Sequence, residues 1–566
     1  MILKARHCVL FFFLLIAISC KSAPPSAPLD SGGDEVQAAP PPLPGGLPEE
    51  IRSLTETGVL SSMLQALELI RSRDISGVEF GRMMNGINTV LIKFVYPDSL
   101  ARLPIVDLPQ ANNYSRIIRE AENGNYVRPP ENSVDFFEHI LPFLAINEQT
   151  DPGILPSVLR DLTKAAELRP NSVLPHYFTG LIHERAGRYS QAEAAYGRAQ
   201  NISEECYPAL TGIARVRRLA GNTGEAAAIL SDLIISYPDS MEIKRQLAVT
   251  YFEGGDWSRA LSAVDEILRS EPRDGEFLLL RASTLIEQGQ FAQANVSLDS
   301  YASINPNNRA YLFMRARVQA EGNRNRDSAL NYLRSILRSS PNDEEALIYA
   351  VSLLMESPRA SDQTEGRELL TRLSRIAGSS VAVLSLSLRD AVQRESWQEA
   401  QGFLNRILAG RRTVQDLTDG YYIERGLNNN SRALNYAREL YDRDNSNNDY
   451  AAIYISALID NARRDEASRL LESRINLSSG GPVKSRFYFL RSRIQPNEDN
   501  ALGDLRSSLF EDPRNLDALI AMFEIYHNRR EERRAVYYLR QALAIAPDHP
   551  RLRRYENEYA SVLGRN

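Results

Sequence analysis

The sequence predicts an all-α fold, a solenoid of helix hairpins behind an amino-terminal helical cap. Three marks predict it. Ala192, Ala226, Ala260 and Ala294 stand 34 residues apart, Gly187, Gly221, Gly255 and Gly289 keep the same step, and so do Pro238, Pro272 and Pro306. A fixed period in this range is the signature of stacked helix pairs, each of which buries its apolar face only against its neighbours.

The first element is a targeting segment. Lys4 and Arg6 precede the apolar run Val9 to Ile18, about half of the ~20 residues a membrane-spanning helix needs, as expected of a signal peptide over residues 1–19. Ala17-Ile18-Ser19-Cys20 follows. It resembles the lipobox of bacterial lipoprotein precursors, with Ala17 where leucine is usual, and the resemblance implies cleavage before Cys20 and acylation of its sulfur and new amino terminus. Two or more acyl chains, palmitate among them, would anchor the chain stably to a membrane. Residues 20–47 then form a tether. KSAPPSAPLDSGGDEVQAAPPPLPGGL carries seven prolines and few large apolar side chains, so it builds no core and reaches roughly 80 Å when extended at ~3.1 Å per residue.

Residues 48–150 fall outside the 34-residue step but read as helical, and are expected to cap the solenoid or to form a separate binding domain. Leu60, Met63, Leu64, Leu67 and Ile70 make one apolar stripe, and Ile87, Val90, Leu91 and Phe94 a second, ended by Pro97. From Leu100 to Tyr126 prolines and glycine break the pattern. Phe136, Phe137, Ile140, Leu141 and Leu144 start a helix that pairs with residues 154–169, a degenerate first repeat closed by Pro170, two periods before Pro238.

The solenoid itself is expected over residues 151–549, and residues 241–274 show its unit. Leu247, Ala248, Tyr251 and Phe252 form the apolar side of a first helix, Gly254-Gly255-Asp256 turns the chain, and Ala260, Leu261, Val264, Ile267 and Leu268 line a second helix that Pro272 stops. Alanines at 248 and 260 let the two backbones approach. Ala248, Tyr251, Gly255, Trp257, Ala260 and Pro272 resemble the tetratricopeptide repeat, as do Ala282, Gly289, Phe291, Ala294 and Pro306, and Gly180, Gly187, Tyr189, Ala192, Tyr196 and Ala199. The resemblance implies a right-handed solenoid of about eleven hairpins from residue 173 to 549. Pro341 and Ala329 lie 35 residues after their counterparts while Ala316 keeps 34, which puts one extra residue in the turn from Gly322 to Asp327. Residues 344–412 are degenerate, with a bend or bulge expected near Ser357-Pro358. Ala433, Ala467, Ala501 and Ala535 restore the step. Residues 550–566 read as a polar capping helix, since a terminal repeat needs a solvated outer face.

Composition excludes several function classes. A net charge of −6 over 566 residues gives no general attraction to nucleic acid or to an anionic surface. Of the three cysteines, Cys8, Cys20 and Cys206, only Cys206 lies in the body, so no intramolecular disulfide is expected and Cys206 reads as a small buried hydrophobe. There is no glycine-rich phosphate loop, nucleophile elbow or cysteine cluster, and His183-Glu184 lacks the second histidine of a metalloprotease helix. No catalytic residue, cofactor, metal or small-molecule substrate is expected. Tyr189, Trp257, Phe291 and Trp397 share one repeat position and read as core.

The resemblance places a peptide-binding surface on the concave face, lined by the first helix of each hairpin. The repeat register puts Tyr177, Leu181, Arg215, Arg245, Phe252, Phe313, Arg317, Arg389, Tyr422, Arg425, Arg486 and Arg493 there, a mixture that suits carboxylates and extended peptides. Tyr177 and Leu181 stand where some members carry a lysine-asparagine clamp for carboxyl termini. The chain holds sixty arginines and six lysines, so genomic base composition accounts for much of the arginine. Two expectations follow: a lipid-anchored scaffold for protein or peptide partners in the bacterial cell envelope, or a surface-displayed adhesin for a host molecule.

Overall fold

The structure, a computed structural model, describes residues 47–102, 113–147 and 150–559. The expected signal peptide, Cys20 and tether residues 21–46 lie outside the described residues. Every described element is helical, with no strand among them, and no described helix is long and apolar enough to cross a membrane. The chain divides into two compact units, Met1–Ala220 and Gly221–Asn566.

In the first unit, helices Leu47–Thr57, Leu60–Ser72 and Glu79–Val95 pack on one another. The buried stripe of the second runs through Met63, Ala66 and Ile70, with Leu64 left at the surface. Helix Asn113–Glu122 corrects the expectation of a broken chain there: Ile117, Ile118 and Ala121 supply its buried side. Phe136–Ile140 is little more than one α-helical turn, capped by Asp135 and continued as a 3₁₀ turn, Leu141–Ala145, because Pro142 cannot donate within an α-helix. The amino-terminal helices share their core with the first repeat. Phe143 stacks on Phe178 at 4.3 Å with Phe94 edge-on to both, the Val173 amide donates to Thr57 O, and the fully buried Tyr96 donates to Gly58 O at 3.0 Å. Cys206 is buried and in no disulfide.

The second unit is a succession of hairpins. Helices Met241–Glu253 and Trp257–Ser270, then Gly275–Glu287 and Phe291–Ala302, pack as antiparallel pairs around fully buried Ala248, Ala260, Ala282 and Ala294. Four successive first helices start on a side-chain cap: Ser240 accepts from Ile243 N, Asp274 from Phe277 N, Asn308 from Tyr311 N and Asp343 from Ala346 N. Such a cap satisfies amides that a helix start leaves unpaired, and contributes ~1 kcal/mol.

Two irregularities take forms other than those expected. The extra residue near 322 does not lengthen the turn, which keeps three residues, 323–325, as at 254–256 and 288–290. A π-helical turn, Val318–Gly322, ends the helix that begins as Arg309–Arg317 and absorbs the residue. The degenerate stretch forms a complete hairpin, Glu344–Met355 and Ala360–Ala377. Its second helix has 18 residues where Trp257–Ser270 has 14, and Gly366 supplies the small residue against Leu354 and Met355. Helices Val381–Gln393, Trp397–Leu408, Val414–Gly426, Asn430–Arg443, Asn448–Asp460, Arg464–Leu477, Gly481–Ser492, Glu498–Glu511, Leu516–Asn528 and Glu532–Ile545 follow in the same alternation. Helix Pro550–Glu558 packs on the last hairpin: Leu552 joins its core, and Tyr555, with Tyr559 just past the helix, lies edge-on to Phe523 and His527.

Candidate protein-interaction surface

The first helices start from a conflict. Glu287, Glu321 and Glu356 recur at steps of 34 and 35 residues and sit at the ends of first helices, where the negative pole of the helix disfavours a carboxylate. Arginines resolve it. Arg317 donates to Glu287 at 2.6 Å on the preceding first helix and to Glu321 at 3.0 Å on its own, Tyr349 of the next first helix donates to Glu321 at 3.1 Å, and Arg389 reaches Glu356 at 3.3 Å. Neighbouring hairpins are thereby joined, by the Arg317 and Arg389 guanidinium groups at two junctions and by the Tyr349 hydroxyl at the one between them. The five donors and planar fork of arginine suit this bridging, which a point ammonium would serve less well.

Nearly every arginine expected on this surface has such a partner. Arg215 forms a bidentate pair with Glu184, which also accepts from Tyr196 at 2.6 Å, and the two charged side chains are only 16% and 12% exposed. Burial alone would raise the Glu184 carboxyl, but Arg215 outweighs it and holds the group below the usual carboxylate range. Arg245 lies over the Phe277 ring and pairs with Glu271 and Asp274. Arg425 and Arg493 converge on Asp460, at 3.0 and 2.7 Å, and Arg486 pairs with Asp449. The structure thus brings the expected residues into ladders of neutralised pairs and not into one unpaired basic track.

The aromatic residues divide. Tyr177 and Phe252 are buried, the first between Phe178 and Tyr196 and the second edge-on to Trp257. Phe313 is half-buried, under Arg309 and beside Tyr349, whose ring centre is 5.6 Å away. Tyr422 is 50% exposed, set edge-on to the buried Tyr421, whose face carries Arg425. It is the anchor on this face that solvent reaches most readily among the aromatics named.

Glu184, Asp460 and the glutamates at 287, 321 and 356 were not expected here. Of these, Glu287, Glu321 and Glu356 carry a signal in the sequence, their own steps of 34 and 35 residues. Tyr189, Trp257, Phe291 and Trp397 correct the expectation of core residues: all are half-buried. Phe291 and Trp397 lie against the backbone of Gly322 and Gly426 in the next hairpin, where an added Cβ would overlap each ring. Their role is contact between repeats. Among the described residues no group of three or more His, Cys, Asp and Glu side chains is placed to hold a metal ion.

Comparison with known proteins agrees with this geometry. Models of the tetratricopeptide repeat match residues 179–241, 217–284 and 251–318. No curated protein sequence matches the chain. Among solved structures, the type IV pilus biogenesis factor PilW is 18% identical, covering 36% of this chain and 94% of its own, with a TM-score of 0.34. PilF of Pseudomonas aeruginosa is 19% identical over 35% of this chain and 89% of its own, at 0.31. Yeast Tom70 is 11% identical over 73% of this chain and 92% of its own, at 0.33. By the family models, tetratricopeptide repeats lie within residues 179–318, in a structure whose described elements are all helical.

Proposed function

We propose that the chain is a membrane-tethered scaffold, a right-handed solenoid of about eleven hairpins capped by residues 48–150, that holds a protein or peptide partner in the bacterial cell envelope. The observation that carries this reading is the ladder of first helices, in which charge is neutralised internally while Tyr422 and the outer edges of Arg389, Arg425 and Arg486 remain open to solvent. A neutralised, hydrogen-bonding face with aromatic anchors suits an extended peptide backbone, which supports the reading of the array as a binding surface. The lipobox-like Ser19-Cys20 and the proline-rich stretch after it support the tether.

Two variants test the two halves of the reading. Tyr422→Asp should release protein that copurifies with the wild-type chain, and an unchanged set of partners would contradict the scaffold. Cys20→Ser should lose incorporation of an alkyne-tagged fatty acid and leave the membrane fraction. Retained label would contradict the anchor.

A further inference from the structure

A second surface lies on the second helices near the end of the array. Along Glu532–Ile545, Arg533, Tyr537 and Arg540 recur at i, i+4 and i+7 and so share one face, while Arg534 and Tyr538 share the adjoining one. Tyr538 stacks on the buried Tyr526 with centroids 5.7 Å apart and planes 6° from parallel, and Tyr537 stands edge-on to Tyr538 at 5.0 Å. The Arg534 guanidinium lies over the Tyr526 ring, 5.4 Å from its centre. From the neighbouring second helix, Glu498–Glu511, Arg506 donates to Tyr526 Oη at 3.5 Å, and Phe510 follows it by one turn.

This surface differs from the first-helix ladders in its charge balance. Arg506 and Arg533 are exposed and form no ion pair among the described residues, and the ion pair of Arg534 is with Glu531, 2.6 Å away at the cap of the same helix. Phe510 is 86% exposed and Tyr537 57%. On these two helices Glu498 and Asp499 pair with Arg529, Asp504 with Arg491 and Glu511 with Lys484, which leaves Glu532 as the carboxylate beside Arg506, Arg533 and Arg534. Exposed aromatics beside arginines in excess of carboxylates make the composition of an interface centre. A guanidinium laid on a ring keeps its in-plane N–H edge free for a carboxylate.

We propose that the second helices Glu498–Glu511 and Glu532–Ile545 form a docking surface for an acidic, extended peptide segment of a partner protein, independent of the first-helix face. Carboxylates of the segment pair with Arg506, Arg533 and Arg534, and its apolar side chains pack on Phe510 and Tyr537. The surface goes beyond the scaffold reading, because it needs neither the groove nor the anchor.

The test uses the full mature chain and a fluorescein-labelled peptide of alternating glutamate and leucine, with the matching glutamine-leucine peptide as control. Fluorescence anisotropy should show saturable binding of the acidic peptide only. Binding should weaken as salt rises and fall by about tenfold or more in the Arg506→Gln, Arg533→Gln, Arg534→Gln variant. Tyr422→Asp should bind this peptide as the wild type does, which separates failure here from failure of the groove. Circular dichroism establishes that the triple variant is folded, and Arg533→Glu alone gives a second, milder readout. No binding by the wild type, or equal binding by both Arg533→Glu and the triple variant, would overturn the proposal. So would arginine-dependent binding of phosphatidylglycerol vesicles without binding of the peptide, which would make this a membrane contact.

Discussion

Arg215 and Glu184 face each other across two first helices of the amino-terminal unit and pair through the guanidinium Nε and Nη2, with Tyr196 donating to the same carboxylate. The pair is largely withdrawn from water, so its value lies less in net attraction than in the penalty for breaking it. Removing one partner leaves a buried charge without compensation. Arg215→Met should therefore destabilise the chain by ~3–5 kcal/mol. Arg71→Met, at an exposed pair with Glu68, should change stability by less than ~0.5 kcal/mol. Denaturant unfolding of both variants, followed by circular dichroism, checks the contrast.

The same pair sets a pH dependence. The Glu184 carboxyl is held below its ordinary value when folded, so it binds fewer protons folded than unfolded near pH 4. Its contribution is complete above the unfolded value of about 4.3 and is lost as pH falls through the lower folded value. Stability measured from pH 6 to pH 3 should drop in the wild type. The Arg215→Met variant should show a shallower drop, and parallel curves would count against the pair.

Glycines give a test of packing in which the sign of the effect changes. An added Cβ at Gly180 would lie 2.5 Å from the Tyr196 ring, and one at Gly420 would lie 2.9 Å from Tyr436, the same relation in a later hairpin. Gly197, within helix Tyr189–Ile202, would meet nothing within 4 Å. Gly180→Ala should cost ~1–3 kcal/mol by overpacking, whereas Gly197→Ala should stabilise by ~0.5–1 kcal/mol through backbone entropy and helix propensity. Thermal melts of the two variants read the opposite shifts directly.

Ala260 tests the hairpin. It is fully buried between the helices Met241–Glu253 and Trp257–Ser270, and Ala260→Trp should lower stability by ~1–3 kcal/mol or more. Gly187, in an exposed turn with open space around its Cβ position but at φ +68°, is a poor control because its backbone suits glycine. Val296→Trp, on an exposed helical face, should be nearly neutral.

Much of the fold was legible because hairpin packing demands small residues at fixed places, and Ala192, Ala226, Ala260 and Ala294 answer that demand in plain sequence. Where another residue meets the same demand the pattern fades: Gly366 stands for alanine in Ala360–Ala377, and the hairpin is intact. The π-turn at Val318–Gly322 was hidden because periodicity reports that one residue is extra and not which element takes it up. The surface was less legible. Arg317 and Arg389 could be placed on first helices by register alone, but whether a guanidinium is free depends on Glu287 or Glu356, which belong to a different hairpin. The aromatics misled for a related reason. Phe291 and Trp397 share a position with core-like periodicity, yet each faces a glycine of the next repeat, a contact no single repeat reveals.

The central claim is that the first helices present the surface on which a protein partner lies. A photoreactive phenylalanine analogue placed at Tyr422, on a first helix, and separately at Val296, on the exposed side of a second helix, tests it in the cells that make the chain. The account predicts a discrete crosslinked protein from position 422 and none from 296. Adducts from 296 with none from 422 would contradict it.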